Sequence, residues 1–169
     1  ITQSFSCSYL PDEQEQLLVY AENNDFQAWR YSQLIQVGFR RSGEQIYRPH
    51  CPACKACKSV RIPVHIFAPS RSQKRLLKAN HKFRVQLVSE TKSTYYPLYE
   101  RYITQRHADG SMYPPSKTQF DNFVLCDWMT THYLEAYDGD KLIAVAVTDV
   151  VDANEQMGAL SALYTFFDP

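Results

Sequence analysis

The sequence predicts an α+β fold. Helical spacing of apolar residues is confined to the middle of the chain, and the last forty residues read as strands. Within those strands "DGD", Asp138 to Asp140, marks a tight hairpin turn. Helices followed by a run of antiparallel strands segregate rather than alternate, which is the α+β pattern. At 169 residues the chain has room for one good-sized domain or two small ones.

The elements follow in order. Leu17–Tyr20 and Tyr31–Val37 are short structured pieces separated by the polar "AENNDFQAW". "GFRRSG" closes a turn, with Gly38 and Gly43 free to take positive φ. "RIPVHIF", Arg61 to Phe67, alternates and is rich in branched residues, so it reads as a strand ending before Pro69. Ser70 is a natural N-cap for a helix over Arg71–Ala79 that closes near Asn80. On that helix Arg71, Lys74, Arg75 and Lys78 share one face. "FRVQLVSE", Phe83 to Glu90, is a strand. A helix from Tyr96 to His107 places Leu98, Tyr102 and Ile103 nearly on one side. After "ADGSMYPPS" a helix runs from Lys117 to Cys126 with Phe120, Phe123 and Val124 inward. "THYLEAYD" and "KLIAVAVTDVV" flank the hairpin turn, and "MGALSALYTFFDP" is a third strand. The composition changes character near residues 68–82, which divides the chain into an N-terminal part, 1–75, and a C-terminal part, 76–169. The sheet closes on Phe166 and Phe167 with nothing after it to cover it, so a longer chain is expected.

Composition sets limits on function. Hydrophobic content of 44% with 21% charge is that of a folded soluble protein. Lys plus Arg equals Asp plus Glu at 18 each, so whole-chain charge selects no partner. The distribution is uneven: between Arg40 and Arg84 twelve basic residues face one acid, Glu44, which suits a phosphate-rich partner. The longest apolar run, "LIAVAV", is far too short to span a bilayer, and no signal-peptide pattern opens the chain, so no membrane contact and a cytoplasmic location are expected.

Cys51, Cys54 and Cys57 form C-x2-C-x2-C, a spacing that lets three thiolates converge on one centre. A compact triple with one remote cysteine suits an iron-sulfur cluster, while zinc usually takes two pairs; both stay open, as does the reading of reduced thiols without metal. Cys7 is the best remote ligand. His50 ranks below it because adjacent residues point apart, and Cys126 reads as a small hydrophobe in a helix.

Taken together, "CSYLP", "GFRRSG", "YRPHCPACKAC", "VRIPV", "PSRSQKR", "LYERYITQRHADGSM", "LIAVAVTD" and "LSALYTFFDP" resemble the bacterial branch of the aminoacyl-tRNA–protein transferases. These are the aspartate/glutamate leucyltransferases, relatives of the eukaryotic arginyltransferases. The resemblance implies a small N-terminal cysteine-containing domain and a catalytic domain similar to the GNAT acyltransferases, incomplete here at its C-terminal end. It implies transfer of leucine, or arginine, from charged tRNA to the N-terminal α-amine of proteins beginning with Asp or Glu, which creates a degradation signal. Tyr164 and Asp168 resemble the family segment near the aminoacyl pocket.

The residues suit that chemistry. An aminoacyl ester is already activated, so the site needs to orient a neutral amine and stabilise an oxyanion rather than supply a nucleophile. A terminal amine has a pKa of about 7.7 to 8.0, so one modest base suffices, and His107, Asp168 or the tRNA itself could serve. An acidic acceptor side chain asks for Arg40, Arg41, Arg48 or Arg71. The single-stranded tRNA end asks for phosphate neutralisation by Arg71, Lys74, Arg75 and Lys78, with stacking on Tyr99, Tyr102 or Tyr113. Arg101 and Arg106 accompany them at the helix end, where a pocket mouth would lie. Two rival readings are a metal-stabilised RNA-binding module and an acetyl-CoA-dependent acyltransferase. The latter needs a glycine-rich pyrophosphate loop, and none occurs, so no nucleotide cofactor is expected. Neither the donor amino acid nor the oligomeric state follows from residue types.

Overall fold

The computed structural model describes residues 1–22, 27–152 and 158–169. Part of the "AENNDFQAW" spacer and Met157 of the last strand segment lie outside those residues.

Strands β1 (Phe5–Ser6) and β2 (Gln14–Glu15) form a small antiparallel hairpin. β3 (Leu17–Tyr20), β4 (Arg40–Ser42) and β5 (Gln45–Pro49) make a second sheet in the order β3-β5-β4. Helix α1 (Gln27–Leu34) continues into a short 3-10 turn at Ile35–Val37, which Gly38 ends at φ +87°. The "RRS" of the anticipated turn is thus a strand, and the turns stand on either side of it. Gly43 turns β4 into β5 at φ +55°, and a Cβ there would lie 1.8 Å from the Asn122 carbonyl oxygen. No side chain fits at that close approach.

Residues 50–70 contain no regular strand. "RIPVHIF" alternates as a strand should, but it has no ladder partner, Pro63 removes a donor, and Val60, Ile62, Val64 and Ile66 lie exposed. Turn bonds from the Ile66 and Phe67 amides to Pro63 and Val64 replace a ladder. Helix α2 (Arg71–Asn80) starts where anticipated. Ser70 accepts from the Gln73 amide and Gln73 returns the bond to the Ser70 amide, completing a capping box.

The main sheet runs β6 (Arg84–Val88), β7 (Thr131–Asp138), β8 (Lys141–Asp152) and β9 (Gly158–Phe167), all antiparallel in chain order. Helices α3 (Tyr95–Arg106) and α4 (Lys117–Val124) cover one face. Tyr95, Leu98, Tyr99 and Ile103 of α3 interlock with Phe120 and Val124 of α4 over Tyr133, Val145, Val147 and Phe166. On the other face Val85, Leu87 and Leu134 are exposed. A second core cluster joins Tyr31, Phe39 and Ile46 to Met129 and Val151, so it draws on both parts of the chain. Among the described residues no helix is long and apolar enough to cross a membrane.

One ion pair ties the two sheets. Successive side chains of a strand point to opposite faces, so Arg40 is exposed while Arg41 is turned inward. The Arg41 guanidinium grips Asp149 through Nε–Oδ2 at 2.7 Å and Nη2–Oδ1 at 2.5 Å, and both side chains are fully buried. Its other donors meet the Gly43 carbonyl and the Thr131 hydroxyl, and Thr131 in turn donates to Asp149. A second buried carboxylate, Glu135, organises the main sheet by accepting from Gln86, Lys92, Tyr95 and Tyr137. Burial alone would push this carboxyl up, but those four donors outweigh it and bring it down to about 2.

Two outcomes follow. Asp149→Asn leaves a buried guanidinium without its countercharge, and chemical denaturation is expected to register a loss of about 3–5 kcal/mol; a loss under about 1 kcal/mol would contradict the assigned role. Since the folded pKa of Glu135 lies below its ordinary 4.5, its stabilisation is complete above about pH 4.5 and declines as pH falls from there toward 2. Denaturation midpoints between pH 5 and 3 are therefore expected to fall less steeply in Glu135→Gln than in the wild type. Parallel slopes would contradict it.

Candidate functional site

A cleft runs between the β4–β5 hairpin, the tip of the β1–β2 hairpin, and the α3, α4 and β9 side of the main sheet. Its inner part holds about 480 Å³ and its outer part about 320 Å³. Tyr9, Arg40, Ser42, Tyr47 and Ser111 line both, so the two parts meet along these residues.

Local structure explains what each wall offers. Arg40 and Tyr47 are directly paired across β4 and β5, and the guanidinium lies 5.2 Å from the tyrosine ring centre. That packing supports the side chain while leaving its charge without an acidic partner among the described residues. Glu15, paired with Phe5 across the first hairpin, brings a carboxylate to the outer part. The inner part is walled by Tyr99, Met112, Phe123, Leu163 and Tyr164. The Phe123 and Tyr164 rings meet edge to face at 5.1 Å. The Tyr164 hydroxyl is pushed up to about 12 by burial and by the nearby Tyr102, Tyr99 and Tyr9, so it faces the cleft as a protonated donor.

Of the three catalytic candidates named from sequence, Tyr164 alone lines the cleft. His107 follows α3, where its amide donates to Ile103, and its Nε2 lies 3.0 Å from the Tyr102 hydroxyl on the protein surface. Asp168 is held by Lys141 and by Arg101 at 3.2 Å, and these cations keep its carboxyl below the ordinary range. A carboxylate stabilised in that way is a weak base.

The cation candidates separate in the same way. Arg40 lines the cleft with its charge free. Arg41 reaches the cleft wall, but its guanidinium is committed to Asp149, which corrects the reading of it as a receiver of an acidic substrate. Arg48 lies over Phe39 and donates to the Val37 carbonyl, outside the cleft lining. Arg71, Lys74, Arg75 and Lys78 stand fully solvated on α2, and none of them lines the cleft. Tyr99 is 1% exposed, with its ring 4.9 Å from Phe120, which corrects its reading as a base-stacking platform. Tyr102 packs against Phe167 and His107.

Sequence reasoning missed Glu15, Ser42, Met112 and Tyr9 as wall residues. Tyr9 lay inside the quoted "CSYLP", but nothing in a two-residue strand at Gln14–Glu15 signals a partner across space.

The four cysteines form a soft donor set whose chemistry suits a thiophilic metal. In the structure the four stand apart. The Cys51 sulfur lies 3.8 Å from the Gln16 carbonyl, Cys54 accepts from the Ala56 amide, Cys57 is exposed, and Cys7 sits at the end of β1. Among the described residues no three His, Cys, Asp or Glu side chains are grouped to hold one ion. The cysteine loop nevertheless leans on the cleft, since the His50 amide also donates to Gln16, the neighbour of Glu15.

Comparison with known proteins matches the family described as arginine-tRNA-protein transferase, its N-terminal region over residues 5–75 and its C-terminal region over residues 94–169. Aspartate/glutamate leucyltransferase of Pseudoalteromonas atlantica is 52% identical over all 169 residues, which span 71% of that protein. The proteins of the same name from Aeromonas salmonicida and Aeromonas hydrophila are each 53% identical, with 69% of their length spanned.

Proposed function

The chain belongs to the arginine-tRNA-protein transferase family, among relatives named aspartate/glutamate leucyltransferases, and on that premise we propose that the cleft transfers leucine from leucyl-tRNA to proteins beginning with Asp or Glu. The observation that carries this reading is Arg40, a cation braced on Tyr47 at the junction of the cleft's two parts. A guanidinium fork is the natural partner for an acidic side chain entering from the outer part.

Glu15 then meets the acceptor's α-ammonium and takes up one proton. The neutral nitrogen attacks the ester carbonyl, and the tetrahedral intermediate carries an oxyanion. The hydroxyl of Tyr164 is a donor within the same cleft for that charge. Collapse breaks the carbon–oxygen bond to the terminal ribose, whose oxygen takes the nitrogen's second proton. One amide bond forms and one ester bond breaks, with no change of redox state. Proximity supplies most of the rate, because the acyl group arrives activated.

Three further assignments complete the proposal. Residues 76–169 carry an acyltransferase domain of the GNAT kind, and residues 1–75 a cysteine-bearing domain that shapes the acceptor side. Arg71, Lys74, Arg75 and Lys78, on a helix with no other burden, hold tRNA phosphates. The product marks proteins for degradation in the cytoplasm. Cys7, Cys51, Cys54 and Cys57 are the thiolates that would hold a zinc ion or an iron-sulfur cluster, and no step of the transfer passes through it.

Radiolabelled leucine from charged tRNA is expected on peptides beginning with Asp or Glu and not on those beginning with Arg or Ala. Arg40→Met is expected to raise the acceptor KM by about 10- to 100-fold, the loss of one charged hydrogen bond of roughly 1.5–3 kcal/mol; an unchanged KM would remove Arg40 from the site. Glu15→Gln is expected to lower kcat roughly tenfold or more at pH 7. The rate should recover near pH 9, where the amine is neutral without help, and a uniform loss at all pH values would exclude the base. Anaerobically purified protein is expected to hold about one metal centre per chain that Cys54→Ser abolishes, read by elemental analysis. Less than half an equivalent in the wild type would exclude it.

A further inference from the structure

The inner part of the cleft differs from the outer in a way that bears on the donor. Met112, Phe123 and Leu163 form an apolar patch on its wall, which the rings of Tyr99 and Tyr164 extend, while Ser42, Ser111, Gln119 and Ser161 line the rest. Among the described residues its lining includes no aspartate or glutamate; of its two cations Arg41 is paired with buried Asp149, and Arg40 carries the open charge. An arginyl side chain placed there would lose its water and meet the unpaired Arg40 guanidinium, with no carboxylate among the described lining residues to offset it. A leucyl side chain would exchange water for aliphatic and aromatic carbon.

The backbone of β9 is adapted to build this wall. Ala162 pairs with Thr148 and Tyr164 with Val147, so β9 carries one extra residue, Leu163, opposite β8. Ser161, Ala162, Leu163 and Tyr164 all line the cleft, so it runs along this edge strand across the bulge. Re-aiming a side chain beside a site is what such a bulge does. The facing wall is equally fixed. The Gly43 amide donates to the Phe123 carbonyl at 3.0 Å, so the hairpin that carries Arg40 is pinned to the residue that forms the apolar wall.

We propose that Phe123, Met112 and the bulged Leu163 form the subsite for the donor's amino-acid side chain, and that it selects leucyl over arginyl because no carboxylate among the described residues faces it. This assignment rests on the transferase reading above and adds the residues that set donor identity. The acyl carbonyl then lies where the inner and outer parts meet, beside Arg40, Ser42 and Ser111.

The test measures transfer from leucyl-tRNA and arginyl-tRNA, with an Asp-initiated peptide as acceptor, by the wild type, Met112→Glu and Leu163→Glu. Met112 lies in the loop after α3, half-buried, so its exchange carries little risk to the fold; near-UV circular dichroism checks each variant. Both variants are expected to lose about tenfold or more in leucyl kcat/KM, to gain arginyl transfer, and to keep the acceptor KM. Unchanged leucyl kcat/KM with no arginyl gain in a folded Met112→Glu would overturn the subsite. A shifted acceptor KM with an unaltered donor preference would overturn it too, by assigning that wall to the acceptor. If instead the wild type transfers neither amino acid, the transferase reading itself falls, an outcome distinct from the other two.

Discussion

The buried pair of Arg41 and Asp149 is the constraint on which the rest of the structure depends. It joins a three-residue strand of the N-terminal sheet to the middle of the longest strand of the main sheet, 108 residues away in sequence. Two charges taken out of water add little net stability over an apolar pair, but either alone is costly. The contact is therefore tolerant of no misplacement, and it fixes the β4–β5 hairpin against β8. Strand alternation then sets Arg40, the next residue, on the opposite face, in the cleft. One arginine secures the wall and its neighbour is displayed on it.

Much of this was legible in the sequence where the signal is local. Ser70 capped its helix, "DGD" turned its hairpin, and the period-two pattern of "THYLEAYD" and "KLIAVAV" gave two central strands at nearly their observed bounds. "RIPVHIF" shows the limit of that logic. Alternation describes a residue pattern, while a strand needs a partner edge, and this segment pairs with none of the described strands. The helix expected to reach Cys126 stops at Val124, where Leu125 turns extended and leaves Cys126 half-buried beside Arg41.

The site was less legible because it is made by juxtaposition. Arg40 and Arg41 are identical side chains in the same motif, and only the pleat separates a cation open to the cleft from a structural one. Tyr99 read as an aromatic platform for nucleic acid, and Tyr164 as a residue near the aminoacyl pocket. The first is locked into the core by Phe120 and Phe166, and the second is carried to the cleft past a bulge that no residue type announces. Glu15 was invisible in a two-residue strand. Its position follows from pairing with Phe5 and from the cysteine loop anchored at the next residue.

The most direct test is a crystal structure of the protein with a leucyl-adenosine whose ester is replaced by an amide, together with a short peptide beginning with Asp. The leucyl side chain is expected between Phe123 and Leu163 and the peptide's acidic side chain on Arg40, with the acyl carbon where the two parts of the cleft meet. A leucyl group bound outside this cleft, or an acidic side chain on any cation other than Arg40, would contradict it.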